Sequence, residues 1–274
     1  MLSRAQVALP TLALIGAVAL TSCTSSSSNS SNSTKDKSAT GSTRTARTTG
    51  GRSVEPTTVA DKLETGLATA TSAHLAVSTE LSGQRLEGAG DVRLTKGAIS
   101  QANLQQALPS GLGTITVVVS GGKTYAKLPS ALRTDSSKLW VLLTPDSRST
   151  VVSQLASTVQ PILTVASPAS LVAFTRSASS VTDLGQASTG GVTTTHYRVI
   201  VDAGSLPTSV PSSITAGGKS SIPIDMYLDA TGRPRQVTGT FSISGQTVTP
   251  TITLSDYDAP VSITAPPAEQ VGAR

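Results

Sequence analysis

Few side chains in this 274-residue chain could perform acid–base or nucleophilic chemistry. The two histidines, His74 and His196, fall beside or within predicted strands and in no recognisable catalytic motif, so both are interpreted as structural or surface residues. Ser120 and Lys123 match the S-x-x-K spacing of penicillin-binding proteins, but about one such match is expected by chance among 41 Ser and 8 Lys residues. That serine also lies at a predicted hairpin turn, and no K-T-G follows it.

Asp256 and Asp258 could act as a carboxylate pair or a weak cation site, although a solvated loop is the preferred interpretation. The chain contains no G-x-S-x-G, P-loop or H-E-x-x-H pattern. A single cysteine excludes an intramolecular disulfide and any Cys-based metal centre, and two histidines leave little room for another kind. We therefore predict no catalytic residue, no metal and no cofactor, and a protein that is not an enzyme.

The single cysteine, Cys23, has a position with its own chemistry. Residues 1–22 are typical of a secretory signal peptide, with Arg4 followed by an apolar stretch that is too short to span a bilayer. This stretch ends in Leu-Thr-Ser-Cys at residues 20–23, which is similar to a bacterial lipobox; the alternative is an ordinary signal peptide with a chance cysteine. The lipobox predicts that Cys23 is lipidated and that two acyl chains anchor the protein to the extracytoplasmic face of the cell membrane.

Residues 23–55 predict a disordered tether rich in Ser and Thr, with almost no apolar side chains and a net charge of +3. Its dense hydroxyls are also potential glycosylation sites. Residues 56–274 hold 15 basic and 14 acidic residues. The pI of about 9.6 therefore belongs mainly to the tether, and with 3% aromatic residues we expect no nucleic-acid binding.

Hydrophobic periodicity over residues 56–270 predicts one α+β domain, expected to be monomeric. A helix opens it near Val59–Leu67, with Thr57 or Thr58 as its cap. Helices are also predicted over Ser149–Ala166, with Pro161 as a kink or end, and over Pro168–Val181. Period-2 segments predict strands, and they are grouped before and after the helix pair: 74–81, 91–94, 99–104, 114–120, 124–128, 139–143, 192–202, 222–229, 236–244 and 247–255.

Contiguous strands joined by short turns favour an antiparallel sheet, with the segregated helices covering one face. The lipobox, the tether and this element order together resemble the actinobacterial LppX/LprG-type lipoproteins. More specific similarities are Gly121–Leu128 followed by Trp140, Ile222–Asp229 followed by Gly232-Arg233-Pro234, and the closing Ser255-Asp256-Tyr257. The resemblance covers about residues 57–267.

The resemblance implies a LolA/LolB-like fold, in which a curved antiparallel β half-barrel carries helices packed on its concave face. It also implies a lipid or glycolipid ligand between sheet and helices, with an envelope transporter as a further partner. Thirteen apolar residues on inward strand positions and on the helix stripe are candidate ligand-lining residues: Leu75, Val77, Val117, Val119, Leu155, Val159, Ile162, Phe174, Val199, Met226, Leu228, Phe241 and Ile243.

These side chains could equally fill a dry core, so two functions remain open. The first is an anchored cell-envelope lipoprotein that binds or transfers lipid in an apolar cavity. The second is a non-carrying surface lipoprotein, an interaction or accessory module with a closed core. An envelope hydrolase has only the chance S-x-x-K match behind it.

Overall fold

The computed structural model describes residues 51–81, 84–108, 113–133, 135–206, 210, 214–243 and 246–272. The predicted signal peptide, Cys23 and most of the predicted tether lie outside these residues. Sixteen strands and three helices are found in the described part. In chain order they are β1 (Arg52–Val54), α1 (Pro56–Ala68), β2 (Ser72–Leu81), β3 (Gln84–Thr95), β4 (Ala98–Ala107), β5 (Thr114–Ser120), β6 (Lys123–Lys127), β7 (Trp140–Leu142), α2 (Thr150–Ala166), α3 (Pro168–Arg176), β8 (Ala178–Thr189), β9 (Val192–Asp202), β10 (Ile214–Thr215), β11 (Ser221–Leu228), β12 (Pro234–Gly239), β13 (Phe241–Ile243), β14 (Gln246–Val248), β15 (Thr251–Ser255) and β16 (Val271–Gly272).

Thirteen of the strands form one open sheet in the order β1-β8-β9-β11-β12-β15-β2-β3-β4-β5-β6-β7-β16. Every neighbouring pair in it is antiparallel except β7 and β16, which run parallel. A second, three-stranded sheet has the order β10-β13-β14. Tight turns account for the long run of antiparallel neighbours, as at Gly121 and Gly122, whose positive φ angles of 59° and 71° suit a two-residue hairpin.

The main sheet curves around helix α3. This nine-residue helix is about 14 Å long, yet it contacts both β4 and β8. Six strands separate β4 from β8 in the sheet, which would place them about 34 Å apart if the sheet were flat. Both can touch one short helix only because the sheet bends, with α1 and α3 on its concave side. The predicted α+β fold, a curved antiparallel half-barrel with helices on its concave face, is confirmed.

Two glycines in β3 stand where the sheet curves. Gly88 and Gly90 share the inward-facing register with Val92 and are paired with Val77 and Leu75 of β2. A Cβ atom at Gly90 would overlap the carbonyl oxygen of Asn103 on β4. The close approach of β3 to β4 therefore requires a residue without a side chain at this position.

The small sheet closes one end of the half-barrel. Strand β12 stops at Gly239, and after one residue the chain continues as β13 into the small sheet. Phe241 at the start of β13 is 5% exposed and lies 6.1 Å from the ring of Phe174 on α3. Aromatic burial of this kind fixes the small sheet to the main core.

A polar network ties α1 to the turn between β11 and β12. The buried Asp229 carboxylate accepts hydrogen bonds from Thr231 and from the backbone N–H of Arg233, and an ion pair of 3.0 Å joins it to Arg235. Burial alone would raise the pKa of Asp229, but these hydrogen bonds outweigh it and hold the pKa below its usual value. The Tyr257 hydroxyl donates to the carbonyl oxygen of Pro234, 2.7 Å away, and burial raises its pKa.

Three sequence-based expectations differ from the structure. The last residues of the predicted tether, Arg52–Val54, form β1 and pair with Val181–Asp183, although their polar character gives no period-2 signal. Helix α1 begins at Pro56, whose fixed φ suits the first helical position. The N-cap residue is therefore Glu55, and not Thr57 or Thr58 as expected. Glu55 makes no side-chain capping bond.

The third difference concerns the predicted helix over Pro168–Val181, which ends at Arg176, after which β8 begins at Ala178. Strand β8 was not predicted because it lies beside the sheet edge. Val181 is its only fully buried residue, so no apolar alternation marks it.

Replacing Gly90 by alanine is expected to lower the free energy of unfolding by about 2 kcal/mol, because the added methyl group overlaps the backbone of β4. Gly204→Ala is the matched control, since no atom lies within 4 Å of a Cβ there. Urea denaturation should show a change below about 0.5 kcal/mol for the control. Equal effects of the two substitutions would contradict the role given to Gly90.

The network at Asp229 predicts a loss of stability in acid. Because the folded-state pKa is lowered, the stabilisation is complete above the unfolded value of about 4 and disappears as the pH falls through the folded value. Asp229→Asn should lower the free energy of unfolding by about 2 kcal/mol at pH 7 and flatten its dependence on pH below about 4. Denaturation at a series of pH values measures both, with the exposed Asp146→Asn as a control that should retain the wild-type profile.

Candidate functional site: an apolar cavity between helix α2 and the sheet

The buried apolar side chains fall into two clusters. The larger one joins α1 and α3 to the sheet and includes Leu63 and Phe174. The smaller one joins α2 to β5, β6 and the segment after β7, through Ile115, Ala126 and Val152. The N-terminal part of α2 therefore packs on its own small core, while its last residues, Val165 and Ala166, belong to the large core that holds α3.

An apolar cavity of about 90 Å³ lies between α2 and the neighbouring strands β2 to β5. Among the described residues, no charged side chain lines it. Its wall consists of Leu75, Val77, Thr79, Leu86, Gly88, Leu104, Gln105, Gln106, Val117, Val159, Ile162 and Leu163.

The cavity exists because a side chain is missing from the concave face. Gly88 pairs with Val77 on one side and with Gln106 on the other, so a row of inward-facing residues is interrupted at its middle. The adjacent row, Leu75, Gly90 and Leu104, is interrupted in the same way. A leucine at Gly88 would occupy the space that now remains under α2.

Polar groups gather at one part of the cavity wall. The Thr79 hydroxyl oxygen is buried and has no hydrogen-bond partner among the described residues. Gln106 lies on the same concave face, two residues along β4 from Leu104. An unsatisfied buried hydroxyl costs about 1–3 kcal/mol, so a ligand oxygen or a water molecule at this place would be stabilising.

Helix α2 is a discrete wall of the cavity. Pro161 lies inside the helix and removes one backbone hydrogen bond. The Gln160 amide Nε2 donates to the Thr124 hydroxyl on β6, 2.8 Å away, and Thr124 is only 6% exposed. Beyond this bond an open groove of about 330 Å³ runs along the C-terminal half of α2, and Leu163 lines both the groove and the cavity.

Of the thirteen candidate lining residues, Leu75, Val77, Val117, Val159 and Ile162 surround the cavity. Val119 lines the adjoining groove, and Leu155 packs against the small core. Five are buried in the large core and do not reach the cavity: Phe174, Val199, Met226, Leu228 and Phe241. Ile243 lies in β13, and its side chain is outside the described part of the structure.

Sequence reasoning missed Leu86, Gly88, Leu104 and Leu163, although a signal for the first two is present. Leu86, Gly88, Gly90, Val92 and Leu94 alternate with charged residues and one alanine, so the strand pattern continues if glycine is counted as an inward position. Because two of the five carry no side chain, the apolar alternation fades where the cavity forms.

The two histidines lie on the outer face of the sheet, away from the cavity. His74 pairs with Asp91 at 2.9 Å. His196 contacts Asp225 at 2.8 Å and stacks on the Tyr227 ring, with ring centroids 4.3 Å apart. Burial would raise the pKa of Asp225, but hydrogen bonds from Arg198 and His196 lower it below its ordinary value. These pairs are cross-strand contacts of the outer surface, with no nucleophile among the contacting side chains.

The remaining candidates for chemistry have structural contacts. Ser120 and Lys123 face each other across the β5–β6 hairpin. Asp258 accepts a hydrogen bond from the Thr71 backbone N–H at 2.9 Å and forms an ion pair with Arg233 at 2.8 Å. Within the described ranges, no group of three or more His, Cys, Asp or Glu side chains could hold a metal ion.

No single helix of the described part is long and apolar enough to cross a membrane. Helices α2 and α3 reach that length and composition only as a pair, and they are bent by 69° relative to each other.

Comparison with known proteins places this geometry beside two mycobacterial lipoproteins. The structure of LprF from Mycobacterium bovis has a TM-score of 0.49 and 17% identity, over 79% of this chain and 99% of LprF. LppX from Mycobacterium tuberculosis has a TM-score of 0.47 and 16% identity, over 76% of this chain and 98% of LppX. LppX is one of the lipoproteins that the sequence was expected to resemble.

A LolA-superfamily protein from Nitrosomonas europaea is also similar, with a TM-score of 0.27 and 11% identity over 76% of this chain and 96% of that protein. No protein-family model matches the chain. No curated protein sequence matches it either.

The Gln160–Thr124 hydrogen bond should hold the C-terminal half of α2 on the sheet. Gln160→Ala leaves the buried Thr124 hydroxyl without its donor, so we expect a loss of about 1–2 kcal/mol in the free energy of unfolding. Amide hydrogen exchange should accelerate in α2 and remain unchanged in α3, which belongs to the other core. Ser157→Ala on the same helix removes only a bond to its own backbone, to the Ser153 carbonyl oxygen, and serves as the control.

Proposed function

We propose that this protein is a membrane-anchored cell-envelope lipoprotein that binds lipid or glycolipid between α2 and the concave face of the sheet. The observation that carries the proposal is the cavity beneath α2, apolar over most of its wall and free of charged side chains. Such a wall suits a hydrocarbon chain, because binding would remove the apolar surface of the chain and of the wall from water and would leave no charged group without a partner.

The polar end of the cavity supports an amphiphilic ligand. The unpartnered Thr79 hydroxyl and the Gln106 amide can bond a hydroxyl, ester or amide oxygen, while Val159 and Ile162 cover a hydrocarbon chain. A ligand with both parts satisfies the buried hydroxyl and fills the apolar space together.

The cavity is smaller than a lipid, so binding of a whole lipid requires α2 to move. Sites for drug-sized ligands measure roughly 300–1,000 Å³, compared with about 90 Å³ here. The adjoining groove of about 330 Å³ is separated from the cavity at Leu163. Displacement of α2 would join the two volumes, and Pro161 together with the small core under the N-terminal part of α2 favours such a motion over motion of α3.

The small closed volume also favours a second candidate function. A cavity of about 90 Å³ holds roughly three water molecules. A protein that keeps α2 in place would present a closed core and act as a non-carrying interaction or accessory module on the same anchor.

The anchor in both cases is the predicted diacylated Cys23, followed by a tether that ends where β1 joins the sheet edge. Two acyl chains give stable membrane attachment where one chain gives only marginal binding. The proposed location is the extracytoplasmic face of the cell membrane. A monomer is proposed, with an envelope transporter as the partner that supplies or receives the lipid.

Native mass spectrometry of the mature chain, purified without denaturation from its own host, tests lipid binding directly. A co-purifying lipid mass is expected. In parallel, displacement of a fluorescent fatty acid measures affinity, and Val159→Trp should weaken it at least tenfold because the indole fills the cavity.

Val151→Trp is the matched control, since Val151 lies on the same helix but is 39% exposed on its outer side. It should bind like the wild type. Absence of any lipid mass, together with no fatty-acid binding by the delipidated chain, would reject the carrier function and leave the closed-core module.

A further inference from the structure

The positive charge of the domain is concentrated at one end of the main sheet. Residues 113–148, which contain β5, β6 and β7, hold five basic and two acidic residues. The rest of residues 56–274 holds ten basic and twelve acidic residues. A domain that is nearly neutral as a whole is therefore polarised, with its positive end at the strands farthest from β1.

The lysines of β6 point away from the helices. Thr124 is hydrogen-bonded to Gln160 of α2, and Ala126 belongs to the small core beneath the same helix. Because side chains alternate along a strand, Lys123, Tyr125 and Lys127 face the opposite, outer side. Their burial agrees, since both lysines are exposed and Tyr125 is half-buried.

The only tryptophan of the chain stands on this outer side. Trp140 of β7 pairs directly with Lys127, and paired residues of antiparallel strands share a face. It is half-buried, so part of the indole ring meets solvent. Lys138 lies two residues before it and donates through Nζ to the backbone carbonyl oxygen of Glu269.

Two carboxylates accompany these cations. Asp135 accepts hydrogen bonds from Ser137, and its pKa is lowered first by the Ser137 side chain and only to a lesser degree by Lys138. The side chain of Glu269 is exposed beside Lys138. Lys123 and Lys127 have no hydrogen bond or ion pair to a carboxylate among the described residues, so their charge is available to an external partner.

We infer that Lys123, Tyr125, Lys127, Lys138 and Trp140, the basic–aromatic face, dock the domain on an anionic lipid surface. Tyrosine and tryptophan side chains have apolar rings with a polar tip and settle at the boundary between head groups and acyl chains. Each lysine close to an anionic bilayer contributes about a fivefold gain in binding. This second membrane contact goes beyond lipid binding in the cavity. It rests on the proposed function, because the anchor at Cys23 is what would hold the domain close to a bilayer.

The anchor makes a weak docking contact sufficient. A tethered domain meets its own membrane at high effective concentration, so a surface with modest affinity in solution is largely occupied. Docking through β6 and β7 would also place the strands that support α2 against the bilayer, since α2 packs on the opposite face of the same strands.

The test uses the mature form predicted from the lipobox, residues 23–274, carrying Cys23→Ser so that no acyl chain contributes. Vesicles of phosphatidylglycerol and phosphatidylcholine in equal parts are compared with pure phosphatidylcholine vesicles. Because Trp140 is the only tryptophan, its emission reports contact at this face. We expect a shift to shorter wavelength and quenching by brominated lipid with the anionic vesicles, both decreasing as salt is added.

Lys123→Gln combined with Lys127→Gln should weaken binding to the anionic vesicles by about thirtyfold. The matched control, Lys96→Gln with Lys219→Gln, removes two exposed lysines outside the face and should bind like the parent. Binding without quenching of Trp140 would assign the contact to the basic tether and overturn the proposal. An equal loss in both double variants would overturn it as well, by showing an effect of net charge alone.

A failure here is distinguishable from failure of the proposed function. Vesicle docking of the Cys23→Ser form depends on neither acylation nor the cavity. If lipid is retained in native mass spectrometry but the protein does not dock on vesicles, the docking role of the basic–aromatic face is rejected and the carrier function is not.

Discussion

The close approach of β3 to β4 is the constraint on which the rest of the structure depends. At Gly90 the two backbones are too near for any side chain to stand between them, and Gly88 leaves a second gap one row away. The thirteen-stranded sheet wraps around short helices. The absent side chain at Gly88 leaves room for the cavity, so one inward-facing row of β3 provides both the close approach to β4 and part of the candidate site.

The division of the interior into two cores follows from that curvature. A strongly bent sheet encloses α1 and α3 near its centre, where Phe174 meets Phe241, while α2 lies toward the strands β5 to β7. A helix that is held over most of its length by a small core can separate from the sheet at lower cost than a helix buried wholly in the large core. The site therefore stands at the boundary between a rigid part and a more loosely held part.

The outer surface of the main sheet differs from its concave face in the side chains that it presents. Its central strands present small hydroxyl side chains and cross-strand ion pairs such as Arg198–Asp225, which are features of a solvated sheet face. At one end the pattern changes to lysines beside half-buried aromatic rings. The nearly equal numbers of basic and acidic residues in residues 56–274 do not show this uneven distribution of charge. It depends on the order of strands in the sheet, which brings Lys127 beside Trp140.

Much of the architecture was predictable from sequence because local periodicity reports burial. The alternation in β5, β9 and β11 and the helical spacing in α2 identified those elements, and five of the thirteen predicted lining residues surround the cavity. Strand β8 was not predicted because only Val181 is fully buried on it. Strand β1 was not predicted because its three residues, two of them polar, are too few to show a period-2 pattern. Hydrophobic periodicity does not reveal a strand that is held mainly by hydrogen bonds to neighbouring strands and has few buried side chains.

The sequence by itself determined the absence of recognised catalytic motifs and the α+β class, and it predicted a lipobox at Cys23 and a polar tether, since each depends on residue type and local spacing. Only the tertiary structure decided that Phe174, Val199, Met226, Leu228 and Phe241 fill a closed core while Val159 and Ile162 face a void. Both groups look alike in a one-dimensional pattern. The difference arises from Gly88 in a strand distant in sequence, whose missing side chain becomes a cavity only when the sheet curves and α2 packs over it.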